Sequence, residues 1–359
     1  MPEPPERIRL VVLYGGQSAE HDVSRLSAAH VLRAIDSDRY DIDPVAITPD
    51  GRWVRSQATI DALASGPDTL PDRLEATGEE LLPQEAATSV TDRQTVVLPI
   101  LHGPRGEDGT VQGLLELADV AYVGCGVLGS ALNMDKLTAK AVARDAGLPL
   151  VSHLGVRDCE IDDRFVERVG AELGWPVFVK PANMGSSVGV VRATDPSSLR
   201  SALAAAAAFD EWVVVEESVT AREIEVGVLG FQKPRASTVG EIVPTHDFYD
   251  FDDKYVDGAA EMRIPADLPS EVVEQAQKMA VEAFRVLRCD GLARVDFFYE
   301  EGGRGLLLNE VNTMPGFTPF SMFPSLWSAS GVSYPDLIDE LVDLALERHR
   351  HRTPHRRGR

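Results

Sequence analysis

The stretch GLARVDFFYEEGGRGLLLNEVN, residues 291–312, reads as two strands joined by a tight turn. Residues 292–299 and 305–311 carry the apolar, β-branched and aromatic side chains of strands, and Glu301-Gly302-Gly303 supplies the turn. A period of two places Arg294 and Asp296 on one face, and likewise Glu310 and Asn312. If Glu300 pairs with Leu306, Asp296 stands opposite Glu310, and Arg294 stands opposite Asn312. Directly opposed carboxylates repel unless a cation lies between them. Two carboxylates and an amide, with no soft donor, suit Mg²⁺ or Mn²⁺ shared with phosphate oxygens. The same pattern is also that of a solvated hairpin face, so the rest of the chain has to decide.

Working outward, KPANMGSSVG at residues 180–189 follows an apolar strand with a basic residue, Lys180, and then a small, flexible loop. The backbone N–H groups around Gly185, Ser186, Ser187 and Gly189 can approach phosphates closely because the side chains are small. A plain hairpin turn would use the same residues, but a basic strand end, a small loop and a metal hairpin together fit a nucleotide triphosphate clamp. No G-x-x-x-x-G-K-[ST] loop exists in the chain. A G-x-G-x-x-G does, Gly124 to Gly129, but no acid follows a second strand at the spacing that ribose binding in a dehydrogenase needs. Such glycines are expected in any strand-to-helix turn.

The 359 residues are enough for two or three domains, with 44% hydrophobic and 26% charged residues. A net charge of −22 argues against nucleic acid and anionic membrane surfaces as partners and leaves small molecules or proteins. The last twelve residues, 348–359, hold six arginines and three histidines with no acid, and read as a basic, disordered tail. Three cysteines without a C-x-x-C pair suggest neither a disulfide framework nor a zinc site, and point to a reducing cytoplasm. The first apolar run, residues 10–13, is too short for a signal sequence or a membrane span.

Strands are expected at 7–14, 41–47, 96–100 and 120–123, with a helical pattern through Val23, Leu26 and Val31. They make residues 1–133 an open α/β layer, interrupted by a surface insertion at 51–94 that can hold short helices or a hairpin. A central unit, 134–226, has a helix at 135–146, strands at 177–180, 188–192 and 212–216, and a helix at 196–209 whose alanines are helix interior. The last unit, 227–347, follows strands at 223–229 and 236–243 with a polar-aromatic loop at 244–264, a helix at 270–287, the hairpin and a final helix at 334–347. A loop of that length in a compact domain reads as a lid.

Five segments in order carry a resemblance: GGQSAEHDVS (15–24), LHGPRGEDGTVQG (101–113), KPANMGSSVG (180–189), FYDFDDKY (248–255) and NEVNTMPGFTPFS (309–321). The sequence resembles the D-alanine–D-alanine ligase family of the ATP-grasp superfamily from about residue 8 to residue 345. The insertion and the basic tail lie outside it. The resemblance implies an α/β ATP-grasp fold of three domains, in which two sheets clamp the nucleotide. It also implies a reaction: ATP activates the carboxylate of one D-alanine as an acyl phosphate, and the amine of a second displaces phosphate.

By motif position, the resemblance makes Asp296, Glu310 and Asn312 ligands of two Mg²⁺ or Mn²⁺ ions. Lys136, Lys180 and Lys254 contact the phosphates with Ser186 and Ser187, and Glu216, Glu217, Val219 and Glu223 form the adenosine linker. Relatives often have Lys where Glu217 stands, so only its main chain is expected to act there. Glu20 anchors the ammonium of the first D-alanine, His102 approaches its carboxylate, and Arg294 with the Gly316 N–H stabilises the oxyanion. Ser321 holds the carboxylate of the second D-alanine. Tyr255, Ser186 and Glu20 tie the lid down, and Tyr255 favours an amine as second substrate. A homodimer is what relatives suggest, and the net charge leaves it without nucleic-acid or membrane partners. The rival readings are a ligase using D-lactate or another D-amino acid second, and a non-catalytic nucleotide-binding regulator.

Overall fold

The computed structural model describes residues 7–88, 94–243 and 261–356. Most of the expected lid, including Lys254 and Tyr255, lies outside the described residues.

The first sheet has six strands in the order β4-β3-β2-β1-β5-β6. They are β1 (Ile8–Gly15), β2 (Tyr40–Ile47), β3 (Trp53–Arg55), β4 (Glu79–Leu81), β5 (Thr95–Leu101) and β6 (Ala121–Tyr122). β1 pairs in parallel with β2 and β5, and is buried on both faces, which is why it reads as a continuous apolar run. Helices α1 (His21–Ala34), α2 (Gln57–Ser65), α3 (Pro83–Ala87) and α4 (Thr110–Leu117) pack around the sheet. The segment 51–94 supplies α2, α3 and the antiparallel pair β3 and β4, and so widens the sheet. It is also more deeply rooted than a surface insertion: Leu70 and Leu74 are buried in the main core, and Tyr14 Oη donates to Glu75 O at 2.8 Å.

Two helices in series, α5 (Val127–Met134) and α6 (Lys136–Asp145), lead to a four-stranded antiparallel sheet. Its strands β7 (His153–Arg157), β8 (Val177–Pro181), β9 (Val191–Ala193) and β10 (Trp212–Glu217) carry α7 (Asp163–Glu172) and α8 (Pro196–Ala207). β7 and α7 are absent from the sequence reading, although α7 has a cap, the Asp162 carboxylate accepting from Phe165 N, and an apolar stripe of Phe165, Val166 and Val169. In β8 the alternation sends Val177 and Val179 into the core and leaves Phe178 and Lys180 on the opposite face.

The third sheet is wholly antiparallel, in the order β13-β12-β11-β14-β15: β11 (Arg222–Gly230), β12 (Arg235–Val243), β13 (Glu261–Arg263), β14 (Gly291–Glu300) and β15 (Gly305–Asn312). Helix α9 (Ser270–Val286) covers one face, packing on Ile224, Val226, Ala293, Val295 and Phe297. Helices α10 (Met322–Ala329) and α11 (Tyr334–Arg356) follow.

The hairpin register differs from the expected one in an instructive way. Glu300 pairs with Gly305, not Leu306, yet Asp296 still faces Glu310 and Arg294 still faces Asn312, because a bulge intervenes between Phe297↔Leu308 and Asp296↔Glu310. Asn309 is the extra residue. The core records the phase change, since Leu306 and Leu308 point into it before the bulge and Val311 after it. Without the bulge, Glu310 would turn away from Asp296.

The expected tail is a second correction. Helix α11 runs through Arg356, and Arg348 is buried, with Nη2 donating to Tyr122 O at 2.9 Å, Nη1 donating to Gly124 O, and its guanidinium 4.1 Å from the Tyr122 ring centre. Arg352 binds Asp290 at 2.5 Å. A helix that buries arginines against backbone carbonyls is invisible to a composition argument. These arginines also occupy the Gly124–Gly129 turn. A side chain at Gly126 would meet Arg352 at 2.8 Å, and one at Gly129 would meet the Arg288 carbonyl at 2.3 Å, so the turn packs against protein and leaves no room for a dinucleotide. Arg348→Ala should therefore cost about 3 kcal/mol by orphaning two buried carbonyls, with the exposed neighbour Arg350→Ala within about 0.5 kcal/mol of wild type. Thermal unfolding of the two variants checks this.

Candidate functional site

A cavity of about 720 Å³ opens where the three sheets meet. Its walls bring together Glu20, His102, Lys136, Ser186, Arg294, Glu310, Asn312, Gly316 and Ser321, nine of the residues singled out in the sequence. Lys180, Glu216 and Asp296 lie immediately behind the wall.

The acids occupy one row. β11, β14 and β15 pair so that Glu225 faces Asp296 and Asp296 faces Glu310, three carboxylates on adjacent strands of one sheet face. Arg294 sits one row along. It holds Asp296 in a bidentate pair, Nε to Oδ1 and Nη2 to Oδ2 both at 2.7 Å, and lies 3.1 Å from Glu225. Burial works against the guanidinium charge, but Asp296 and Glu225 outweigh it and keep its pKa raised. On the far side Lys136 Nζ is 3.8 Å from Glu310 and donates to Met184 O at 2.6 Å. Burial lowers the Lys136 pKa despite Glu310. Among the described residues no three His, Cys, Asp or Glu side chains converge as a metal shell. The opposed Asp296 and Glu310 with the Asn312 amide, whose Oδ1 accepts from Met314 N at 3.0 Å, make an all-oxygen donor set whose chemistry fits a hard divalent cation when phosphate oxygens complete it.

Behind this row lies a second ion cluster. Glu216 is buried with Oε1 at 2.9 Å from Lys140 and Oε2 at 2.7 Å from Lys180. Burial alone would raise the Glu216 carboxyl, but the two ammonium groups hold it well below the usual carboxylate range, and Glu216 in turn raises the Lys180 pKa against burial. Lys140 Nζ also reaches Asn309 O, the bulge residue, at 3.1 Å, so it joins the central sheet to the acid row. Both Glu216 oxygens are thus taken by lysines. The Glu217 side chain accepts from Ser152 N at 2.5 Å and from Arg304 at 2.7 Å.

The amino-acid end is built on loops that follow strands. Glu20 lies in the turn between β1 and α1, and Ser186 Oγ donates to its Oε1 at 2.5 Å. Ser186 and Ser187 have φ of 49° and 57°, a left-handed backbone uncommon for residues with side chains, of the kind held at ligand clamps. His102 is buried; its Nδ1 donates to Met314 O at 2.9 Å, and its Nε2 has no hydrogen-bond partner among the described residues. Gly316 and Ser321 also line the cavity, and Ser321 Oγ accepts from Thr318 N at 3.1 Å.

Sequence reasoning missed Lys140, Glu225 and Glu107. Lys140 stands one helical turn after Lys136, and two lysines on one helix face read as solvated surface. Glu225 interrupts an apolar strand, a signal that was there to use. Glu107 accepts from Gly103 N at 2.7 Å, and burial, then the nearby Glu20 charge, pushes its carboxyl up to about 8.

Sheets that meet around buried lysines and a row of hard oxygen ligands, with a strained serine loop over the cavity, define an ATP-grasp protein, a class that activates carboxylates with a nucleotide triphosphate. Residues 9–125 match the model of the D-ala D-ala ligase N-terminus, and residues 142–343 that of the D-ala D-ala ligase C-terminus. The D-alanine–D-alanine ligase of Acetivibrio thermocellus is 45% identical over 96% of this chain and 97% of its own. The solved D-alanine-D-alanine ligase of Coxiella burnetii superposes with a TM-score of 0.85 at 34% identity, covering 98% of each chain. That of Bacillus anthracis complexed with ATP gives 0.72 at 25% identity, covering 96% of this chain and 98% of its own. The chain belongs to the D-alanine–D-alanine ligase family.

Proposed function

We propose that the protein joins two D-alanine molecules to D-alanyl-D-alanine at the expense of ATP, releasing ADP and phosphate, as a cytoplasmic homodimer supplying peptidoglycan precursors. The observation that supports this most directly is the cavity in which Glu225, Glu310, Lys136, the Glu20–Ser186 bond and the His102 Nε2 meet. Among the described residues no helix is long and apolar enough to cross a membrane.

Each side chain has a role that its geometry suits. Glu20 receives the ammonium of the first D-alanine, and His102 and Arg294 orient its carboxylate toward the γ-phosphate. Attack by a carboxylate oxygen on that phosphorus gives the acyl phosphate and ADP; the amine of the second D-alanine then attacks the carbonyl carbon, and phosphate leaves. Arg294 and the Gly316 N–H stabilise the oxyanion of that second step, with Ser321 holding the incoming carboxylate. Asp296, Glu310 and Asn312 would hold two Mg²⁺ or Mn²⁺ ions, which when bound neutralise charge on the transferring phosphoryl group. Lys136, Lys180 and Lys254, with Ser186 and Ser187, bind the phosphates. Glu223, close enough to Lys180 to raise its pKa, is the acid of the adenosine linker assigned to ribose. The main chain of Glu217 and Val219 reads adenine. Tyr255 joins Glu20 and Ser186 when the lid closes and excludes water.

Incubation with ATP, Mg²⁺ and D-alanine should form dipeptide, with D-lactate and D-serine competing poorly as second substrates across pH. Preferential formation of a mixed product would instead favour the ligase of different second specificity, and nucleotide binding without turnover the regulator.

A further inference from the structure

The segment 51–94, which the family resemblance left without a role, places a cation at the substrate cavity. Arg73 lines the same cavity as Glu20, Gly316 and Ser321. Its backbone is held on both sides. Leu74 N donates to Arg25 O at 3.4 Å, and Arg25 Nε returns a bond to Leu74 O at 2.6 Å. Arg33 donates to Leu70 O at 2.8 Å, and Leu70 and Leu74 are buried. A well-anchored backbone therefore carries an exposed side chain.

That side chain is loosely held. Arg73 Nη1 lies 3.7 Å from Asp22 Oδ2, with both side chains more than half exposed, at 58% and 57%. An exposed pair at that distance contributes little and is readily exchanged. Asp22 would not be orphaned by the exchange, since Arg25 also binds it, at 2.8 Å. The other lysine and arginine in the cavity wall, Lys136 and Arg294, are mostly buried and engaged by Glu310, Asp296 and Glu225. Among the described residues Arg73 is thus the solvent-exposed cation of this wall, on a protein of net charge −22 whose amino-acid substrates each carry a carboxylate.

Resting on the ligase reading above, we propose that Arg73 is a specificity-determining residue: it leaves Asp22 to bind the carboxylate of the second amino acid as that molecule enters, across the cavity from Ser321. The first amino acid is held deeper, by buried His102 and Arg294, and its carboxylate is the one that reacts. A guanidinium suits a carboxylate because it donates two parallel bonds.

The test is two-site steady-state kinetics of the full chain at saturating ATP and Mg²⁺, with wild type, Arg73→Ala and Arg73→Lys. In Arg73→Ala the KM for the second D-alanine should rise about tenfold, with kcat and the KM for the first within about twofold of wild type. Arg73→Lys should recover part of the loss, and added salt should weaken second-site kcat/KM in wild type more than in Arg73→Ala. An unchanged second KM would overturn the proposal. So would a uniform fall in kcat and both affinities that Arg73→Lys shares, since that is the mark of a purely structural side chain. Wild-type protein that forms no dipeptide would refute the ligase reading instead, and is read separately from the variants.

Discussion

Glu310→Gln should lower kcat by about a thousandfold or more while leaving the folded protein nearly as stable as wild type. Glu310 faces Asp296 across the hairpin, its side chain is 37% exposed, and Lys136 is 3.8 Å away. Replacing a half-exposed carboxylate with its amide removes one of the charges the phosphate-bridging cations need, but leaves no buried ion stranded. Asp296→Asn should be as inactive but less stable, because Asp296 neutralises the buried Arg294 through two 2.7 Å bonds and Glu225 alone would remain. The contrast between the two variants separates chemistry from folding. Initial rates of ADP formation together with thermal unfolding check it, and near-normal kcat in Glu310→Gln would remove the metal assignment.

The second large effect is on stability. Glu216→Gln should destabilise the protein by roughly 3–5 kcal/mol, since it leaves Lys140 and Lys180 buried and facing each other without their anion. The apparent Tm should fall by about 10 °C. The pH dependence has a definite sign. The folded pKa of Glu216 is depressed, so its contribution is complete above the ordinary carboxylate range and is lost as pH falls through the depressed value. Wild type and Glu216→Gln should therefore differ most at neutral pH and converge in acid. A gap that widened as pH fell would contradict the pairing. Because Lys140 also holds the bulge carbonyl of Asn309, the same substitution should loosen the acid row and raise the KM for ATP.

The sequence revealed features that depend on local pattern and hid those that depend on distant partners. The apolar strand ending at Lys180 and the apolar run of β1 were legible, because a strand that packs into a core must carry apolar side chains. The acid pair of the hairpin was legible too, but for an incomplete reason: the turn is one residue tighter than a simple register suggests, and the Asn309 bulge restores the phase. No pattern in residues 305–312 announces a bulge whose carbonyl is held by a lysine on another helix. The fate of 348–356 was illegible for the same reason. Composition marks a basic tail, whereas two carbonyls at Tyr122 and Gly124, more than two hundred residues away, give Arg348 its buried place. Most of the proposed nucleotide and amino-acid residues came from ordered motifs, and nine of those within the described structure line the cavity. Lys140 and Arg73 stand out only when the sheets are assembled around them, whereas Glu225 is already marked by interrupting an apolar strand.

The most direct test of the ligase reading follows an atom. D-alanine labelled with heavy oxygen in its carboxylate is incubated with the protein, ATP and Mg²⁺, and the released phosphate is analysed by mass spectrometry. Activation as an acyl phosphate predicts phosphate release that depends on D-alanine over an L-alanine control, with one labelled oxygen carried from the carboxylate into each phosphate as dipeptide forms. Phosphate released without label, or no release above the control, would contradict it.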